Sequence, residues 1–188
     1  MPLPSHKSRA GSSSLMSLQP VDAAPFQRPS SAWLVWGSLF LVWLVSLLPW
    51  RLLNPVPDML LLVLVFWCLH EPNRVGLVTA VVLGLLMDAH DASLLGLHAL
   101  NYLLCAYGVL RLHGRLRHFN VWVQTFHIIP LLVGAALITR LLGAWLNGEW
   151  VGWDWLWSAL ITGALLPLVD VLLLLPQRRL DGDDVGAV

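Results

Sequence analysis

The stretch 33-WLVWGSLFLVWLVSLLPW-50 decides the fold class, because it runs for 18 residues without a charged side chain. As a helix rising 1.5 Å per residue it extends roughly 27 Å, close to the hydrocarbon thickness of about 30 Å. The rest of the chain has the same character. Of 188 residues, 57% are hydrophobic and 12% charged, where a soluble domain is nearer 25% charged. The mean hydropathy is +0.72. Such a composition excludes a disordered chain. Eleven basic residues balance eleven acidic ones, so the basic surplus of a nucleic-acid binder is missing, and no nucleic-acid partner is expected. Two cysteines are too few for a disulfide scaffold.

Outward from the first run the apolar pattern repeats. Residues 1–32 are rich in Ser and Pro and read as a disordered cytoplasmic tail, with Met16 an alternative start to Met1. Further apolar runs cover about 56–69, 75–87, 94–112, 121–146 and 155–176, followed by a short tail, 177–188. Pro55 and Pro57 open the second run at a helix start, and Pro130 gives the fifth a reason to kink. The reading is an all-α integral membrane protein, a six-helix transmembrane bundle occupying 33–176 with both termini cytoplasmic.

Charge placement orients the bundle. With six crossings, Lys7, Arg9, Arg28, Arg74, Arg111, Arg115, Arg117, Arg178 and Arg179 fall on the inner side and only Arg51 on the outer, as the positive-inside rule requires. Fusing the second and third runs into one crossing would send the 111–118 cluster outside and break the rule. The zero net charge is thus the sum of a basic inner face, suited to anionic lipid or a filament, and an acidic outer one.

The extramembrane segments after the tail are too short for a soluble catalytic domain, so any enzyme would work within the bilayer. His70 and Glu71 lack the spacing of a zinc-protease helix. There is no G-x-S-x-G, and Cys68 and Cys105 have no C-x-x-C partner, so both read as buried small apolar residues. Asp88, His90 and Asp91 form a weak metal-like set, read instead as a hydrated acidic turn ending helix three. No enzyme activity, catalytic residue, cofactor or metal is expected.

Three groups of residues stand out as candidate contacts. Gly76, Ala80, Gly84 and Asp88 recur every four residues along helix three, a small-residue stripe that permits close approach by another helix of this chain or of a partner. His98, Asn101, Arg140 and Asp170 are polar or charged positions within spans, where such groups face protein or water. Arg140 would reach toward Asp58, Asp88 or Glu149, and Asp170 toward Arg111 or Arg178. Trp145, Trp150, Trp153, Trp155 and Trp157 crowd the outer turn between the last two helices, as an interfacial belt or a docking surface.

The segment from helix two to helix four carries a resemblance. Glu71-Pro72-Asn73-Arg74-Val75-Gly76, then Gly84-Leu85-Leu86-Met87-Asp88, then Ser93-Leu94-Leu95-Gly96-Leu97-His98-Ala99-Leu100 resembles the bacterial rod shape-determining MreD family. Val121-Trp122-Val123-Gln124, Leu165-Leu166-Pro167 and Gln177-Arg178-Arg179 extend the similarity over roughly 33–180. The chain departs from the family at Ala92, where Gly is common, and at Asp170, usually apolar or aromatic. The resemblance implies a non-catalytic scaffold of the cell-elongation machinery in a bacterial inner membrane, acting in maintenance of rod shape and regulation of peptidoglycan synthesis. The implied partners are an MreC-type membrane protein, an MreB-type actin-like filament, and a peptidoglycan glycosyltransferase and transpeptidase. It also implies a fold like the substrate-binding membrane subunits of energy-coupling-factor transporters. That likeness supplies an alternative, a vitamin- or solute-binding transporter subunit with an outer polar pocket near Asp58, His90, His98 and Trp153.

Overall fold

The computed structural model describes residues 31–48, 56–91, 94–116, 119–148 and 152–173. Among them there are six helices and no strand: α1 (Ala32–Ser46), α2 (Met59–His70), α3 (Leu77–His90), α4 (Leu97–Leu116), α5 (Val121–Asn147) and α6 (Asp154–Ala164). The tail before residue 31, and Glu149, Trp150, Arg178 and Arg179, lie outside the described residues.

Helix α2 is the axle of the bundle. Every residue from Leu60 to Leu69 is buried, the pattern of a helix that is apolar all round. It packs against α1, α4 and α6, with Phe66 and Trp67 among the largest fully buried side chains. The Trp67 indole N–H, deep in this core, donates to Ser38 Oγ of α1 at 2.8 Å. Helices α3 and α4 form a hairpin, and α5 joins α4 to α6.

The outward faces are apolar as well. Val78, Leu95, Phe126, Ile138 and Leu172 are all exposed, on a scale that water does not favour and lipid does. α5 and the stretch Asp154–Leu173 are long and apolar enough to cross a membrane, whereas α1, α2 and α3 are shorter apolar helices.

Helix boundaries differ from the expected runs by a few residues, for local reasons. α2 starts at Met59 because Asp58 caps it, its Oδ1 accepting the Leu61 N–H at 2.9 Å. α4 continues to Leu116, so His113 and Arg115 ride on a helix instead of a loop. α5 passes through Pro130 and ends on Gly148, whose φ of 70° is the left-handed cap that glycine favours. α6 breaks at Leu165 and then resumes to Leu173. Pro167, just beyond the break, has no N–H to return to the preceding turn.

Candidate functional site

Polar chemistry concentrates at one end of the bundle, where α3 turns into α4. Asp88 lies in the last turn of α3 and is fully buried. Its Oδ2 accepts the backbone N–H groups of Gly96 at 2.8 Å and Ala99 at 3.2 Å. Its Oδ1 accepts the backbone N–H of His98 at 2.8 Å and the ring Nδ1 of the same residue at 2.9 Å. The first N–H groups of a helix have no partner within it and carry partial positive charge. Asp88 therefore caps α4 from the neighbouring helix. Asp88 departs from the expected hydrated acidic turn, enclosed by the helix start that it caps, whereas His90 stays exposed and Asp91 half-buried.

Gly84, one turn earlier, makes the approach possible. A Cβ added to it would lie 2.4 Å from Ala99 Cα and 2.7 Å from Ala99 N. Ala80 is fully buried below it. Gly76 differs: it sits at the N-cap of α3 with open space around it. Three residues of the stripe thus lie against the chain's own interior, and one does not.

A second network ties α2, α4 and α6. Asp58 Oδ1 also accepts the Tyr102 hydroxyl at 2.9 Å, and Tyr102 is fully buried. The Asp58 N–H donates to Thr162 Oγ1 at 2.9 Å, and the Thr162 hydroxyl donates to the Ser158 carbonyl at 2.7 Å. The Ser158 hydroxyl donates to the Val56 carbonyl at 2.6 Å. His98 links the two networks: its Nδ1 faces Asp88, its Nε2 lies 3.8 Å from Asp91 Oδ2, and its ring meets Tyr102 edge-on. Ser158 and Thr162 escaped sequence reading, because hydroxyls in an apolar helix are common and nothing local marks their partners. Asp58 enters the sequence reading only as a partner for Arg140 and as lining of an outer pocket, and its capping role emerges from the structure.

Two cavities open beside these networks. The larger, about 1250 Å³, lies between α1 and α6 over the start of α2, with Asp58, His90, Asp91, His98, Arg140, Asp154 and Ser158 among its lining. The smaller, about 580 Å³, lies between α4, α5 and α6. Asp58, His98, Arg140, Trp155 and Ser158 line both. Arg140 makes no ion pair among the described residues, so the expected contacts with Asp58 and Asp88 are absent. Its other expected partner, Glu149, lies outside them. The Trp155 indole N–H is buried and likewise has no acceptor among them. No group of three His, Cys, Asp or Glu among the described residues is placed to hold a metal.

The remaining expected residues are dispersed. Asp170 pairs with His70 Nε2 at 3.3 Å, not with Arg111, tying α6 to the far end of α2. Asn101 is half-buried, with its Oδ1 4.0 Å from the Cys105 thiol. Cys68 and Cys105 are both free and buried. Of the aromatic cluster, Trp145, Trp153 and Trp157 are exposed, at 80%, 65% and 58%. Trp155 is turned inward as a cavity wall and leaves that surface. The spacing of α6 explains this, since Trp155 and Trp157 are two residues apart and so lie on different helix faces.

Comparison with known proteins agrees with the resemblance. A family model described as rod shape-determining protein MreD matches residues 27–175. The rod shape-determining protein MreD of Haemophilus influenzae is 28% identical over 152 residues, covering 78% of this chain and 93% of that protein. No solved structure matches. With the family model spanning well over half of the sequence, the chain belongs to the MreD family of rod shape-determining proteins.

Proposed function

We propose that the protein is a non-catalytic membrane scaffold of the bacterial cell-elongation complex. It would cross the inner membrane six times with both termini cytoplasmic, and join an MreC-type protein and an MreB-type filament to peptidoglycan synthesis. The observation that carries the scaffold reading is what the buried polar groups do. Asp88 has both oxygens engaged in capping α4, and Asp58 is engaged with Leu61 and Tyr102. These carboxylates tie helices together, Asp88 through both oxygens and Asp58 through Oδ1. What faces outward is apolar or aromatic, including Trp145, Trp153 and Trp157. That surface suits contact with another membrane protein's outer segment.

Depletion of the protein should convert rods into spheres, and reintroduction of the chain should restore them. Normal rods with impaired solute uptake would overturn the proposal in favour of a transporter subunit, a reading favoured by the cavity that Asp58, His90 and His98 line. Photocrosslinkers at Trp145 and Trp157 should capture the MreC-type partner. Capture from the Gly76 to Asp88 stripe alone would move the interface to α3. A reporter fused after Val188 should be active only in its cytoplasmic form.

A further inference from the structure

The end of the hairpin where α4 passes into α5 is basic and holds no acid of its own. No Asp or Glu occurs between Asp91 and Glu149, while the last turns of α4 carry Arg111 and Arg115, both exposed. Four residues apart, they share one helix face. The Arg111 Nε donates to the Tyr107 hydroxyl at 3.1 Å, and its guanidinium lies 5.5 Å from the centre of that ring. Tyr107, Arg111 and Arg115 therefore form one stripe. Neither arginine makes an ion pair among the described residues. His113, between them, turns its Nδ1 to the Leu69 carbonyl of α2 at 2.7 Å. Residues two apart point to nearly opposite sides of a helix. The arginines thus face away from α2, whose end carries Glu71 and the His70 and Asp170 pair.

Gln124 of α5 fixes the depth of this stripe. Its Nε2 donates to the Leu116 carbonyl at 3.0 Å and to the Phe119 carbonyl at 2.9 Å, so α4 ends beside the first turn of α5. That turn carries exposed Trp122, and exposed Trp145 stands near the other end of the same helix. The two are about 35 Å apart along a helix axis, close to the two edges of a hydrocarbon core of about 30 Å, where tryptophan concentrates. Arg115 accordingly lies near one edge, and Arg111 about 6 Å deeper. A guanidinium at that depth is costly without a negative partner.

We infer that the Arg111 and Arg115 stripe is a docking site for the phosphate of an anionic phospholipid of the inner leaflet. A phosphodiester accepts charge-assisted hydrogen bonds from both guanidinium groups, and its acyl chains lie along the apolar side of the hairpin, which exposed Phe126 extends. A lipid answers the charge and the depth together, whereas an acidic protein surface outside the membrane would reach Arg115 and leave Arg111 unmet. The site rests on the proposed topology only for the leaflet that supplies the lipid.

Native mass spectrometry of the full chain, delipidated in mild detergent and titrated with dioleoyl phosphatidylglycerol or dioleoyl phosphatidylcholine, tests it. Wild type should retain phosphatidylglycerol about fivefold or more over phosphatidylcholine. R111Q and R115Q should each lower that retention about fivefold, and the double variant about thirtyfold, with helical content by circular dichroism unchanged. R140Q, near the other end of α5, should behave as wild type. Excess inorganic phosphate should leave most of the lipid bound; complete displacement would make this an ion site and overturn the lipid. Equal retention of the two lipids by wild type would overturn the site without recourse to any variant, as would full retention by the folded double variant. No lipid preference, together with spherical cells from the double variant, would assign the stripe to an acidic protein surface instead. The reporter after Val188 reads topology separately, so a failure there is distinguishable from a failure of the site.

Discussion

Replacing Asp88 by Asn is the sharpest probe of the α3 and α4 hairpin, because it keeps volume and shape while removing charge and one acceptor. Two orientations of the amide are open. With its nitrogen in the Oδ2 place, the N–H groups of Gly96 and Ala99 would both face a donor. With its nitrogen in the Oδ1 place, only the backbone N–H of His98 loses its acceptor, since the His98 ring can present a bare Nδ1 to the amide. The second orientation is the cheaper. It strands one buried N–H, about 1–3 kcal/mol, and removes charge assistance from the two bonds at Oδ2, about 1 kcal/mol each. A neutral amide gives up less hydration than a carboxylate, which offsets part of this. The net expected loss is about 2–4 kcal/mol. In a bundle of this size that lowers the melting temperature by roughly 5–15 °C, measured on detergent-purified protein by loss of helical circular dichroism. Full exposure of Asp88 to water would make the same change nearly silent. A melting temperature for Asp88→Asn within a degree or two of wild type would therefore refute the capping account.

Gly84→Ala should destabilise by about 1–3 kcal/mol or more through backbone overlap with Ala99, while Gly76→Ala, with open space around it, stays within about 0.5 kcal/mol; chemical unfolding midpoints of the pair separate packing from mere loss of glycine. Tyr102→Phe removes the hydroxyl donated to buried Asp58 and should cost about 1–3 kcal/mol, read from the same melts. Gly148→Ala forces a side chain into the left-handed cap of α5 and should cost about 1–2 kcal/mol without changing helical content.

Much of the architecture was readable before any coordinates. The six apolar runs became six helices because runs of that length have few alternatives, and Asp58 and Asn120 cap two of them. The ends were harder. The break at Leu165 depends on how far a proline disturbs the turn before it, and Pro130 shows that the same residue can be carried through a helix. The polar networks were legible only by halves. Periodicity placed Asp88 on the face of Gly84, but not the helix start that it caps, because Gly96 to Ala99 approach it only through a tertiary turn. Asp170 was matched to arginines by charge, while the structure supplies His70, a partner that sequence distance conceals. Trp155 was grouped with its neighbours by density, and helical phase then separated it.

The short helices explain why the polar networks stand where they do. At 12 residues, α2 extends only about 18 Å, well under the roughly 30 Å of a hydrocarbon core. A chain that leaves helical form before reaching water exposes backbone groups that lipid cannot satisfy, and such backbone persists at depth only where protein partners meet it. Val56 and Asp58 are met in this way: the Ser158 hydroxyl donates to the Val56 carbonyl, and Thr162 Oγ1 accepts the Asp58 N–H. Asp58 then fixes α4 through Tyr102, and Asp88 fixes the start of that same helix. The hydroxyls of α6 and the two carboxylates therefore tie the chain ahead of α2 to α6 and α4. Two buried indole N–H groups, those of Trp43 and Trp155, remain without an acceptor among the described residues.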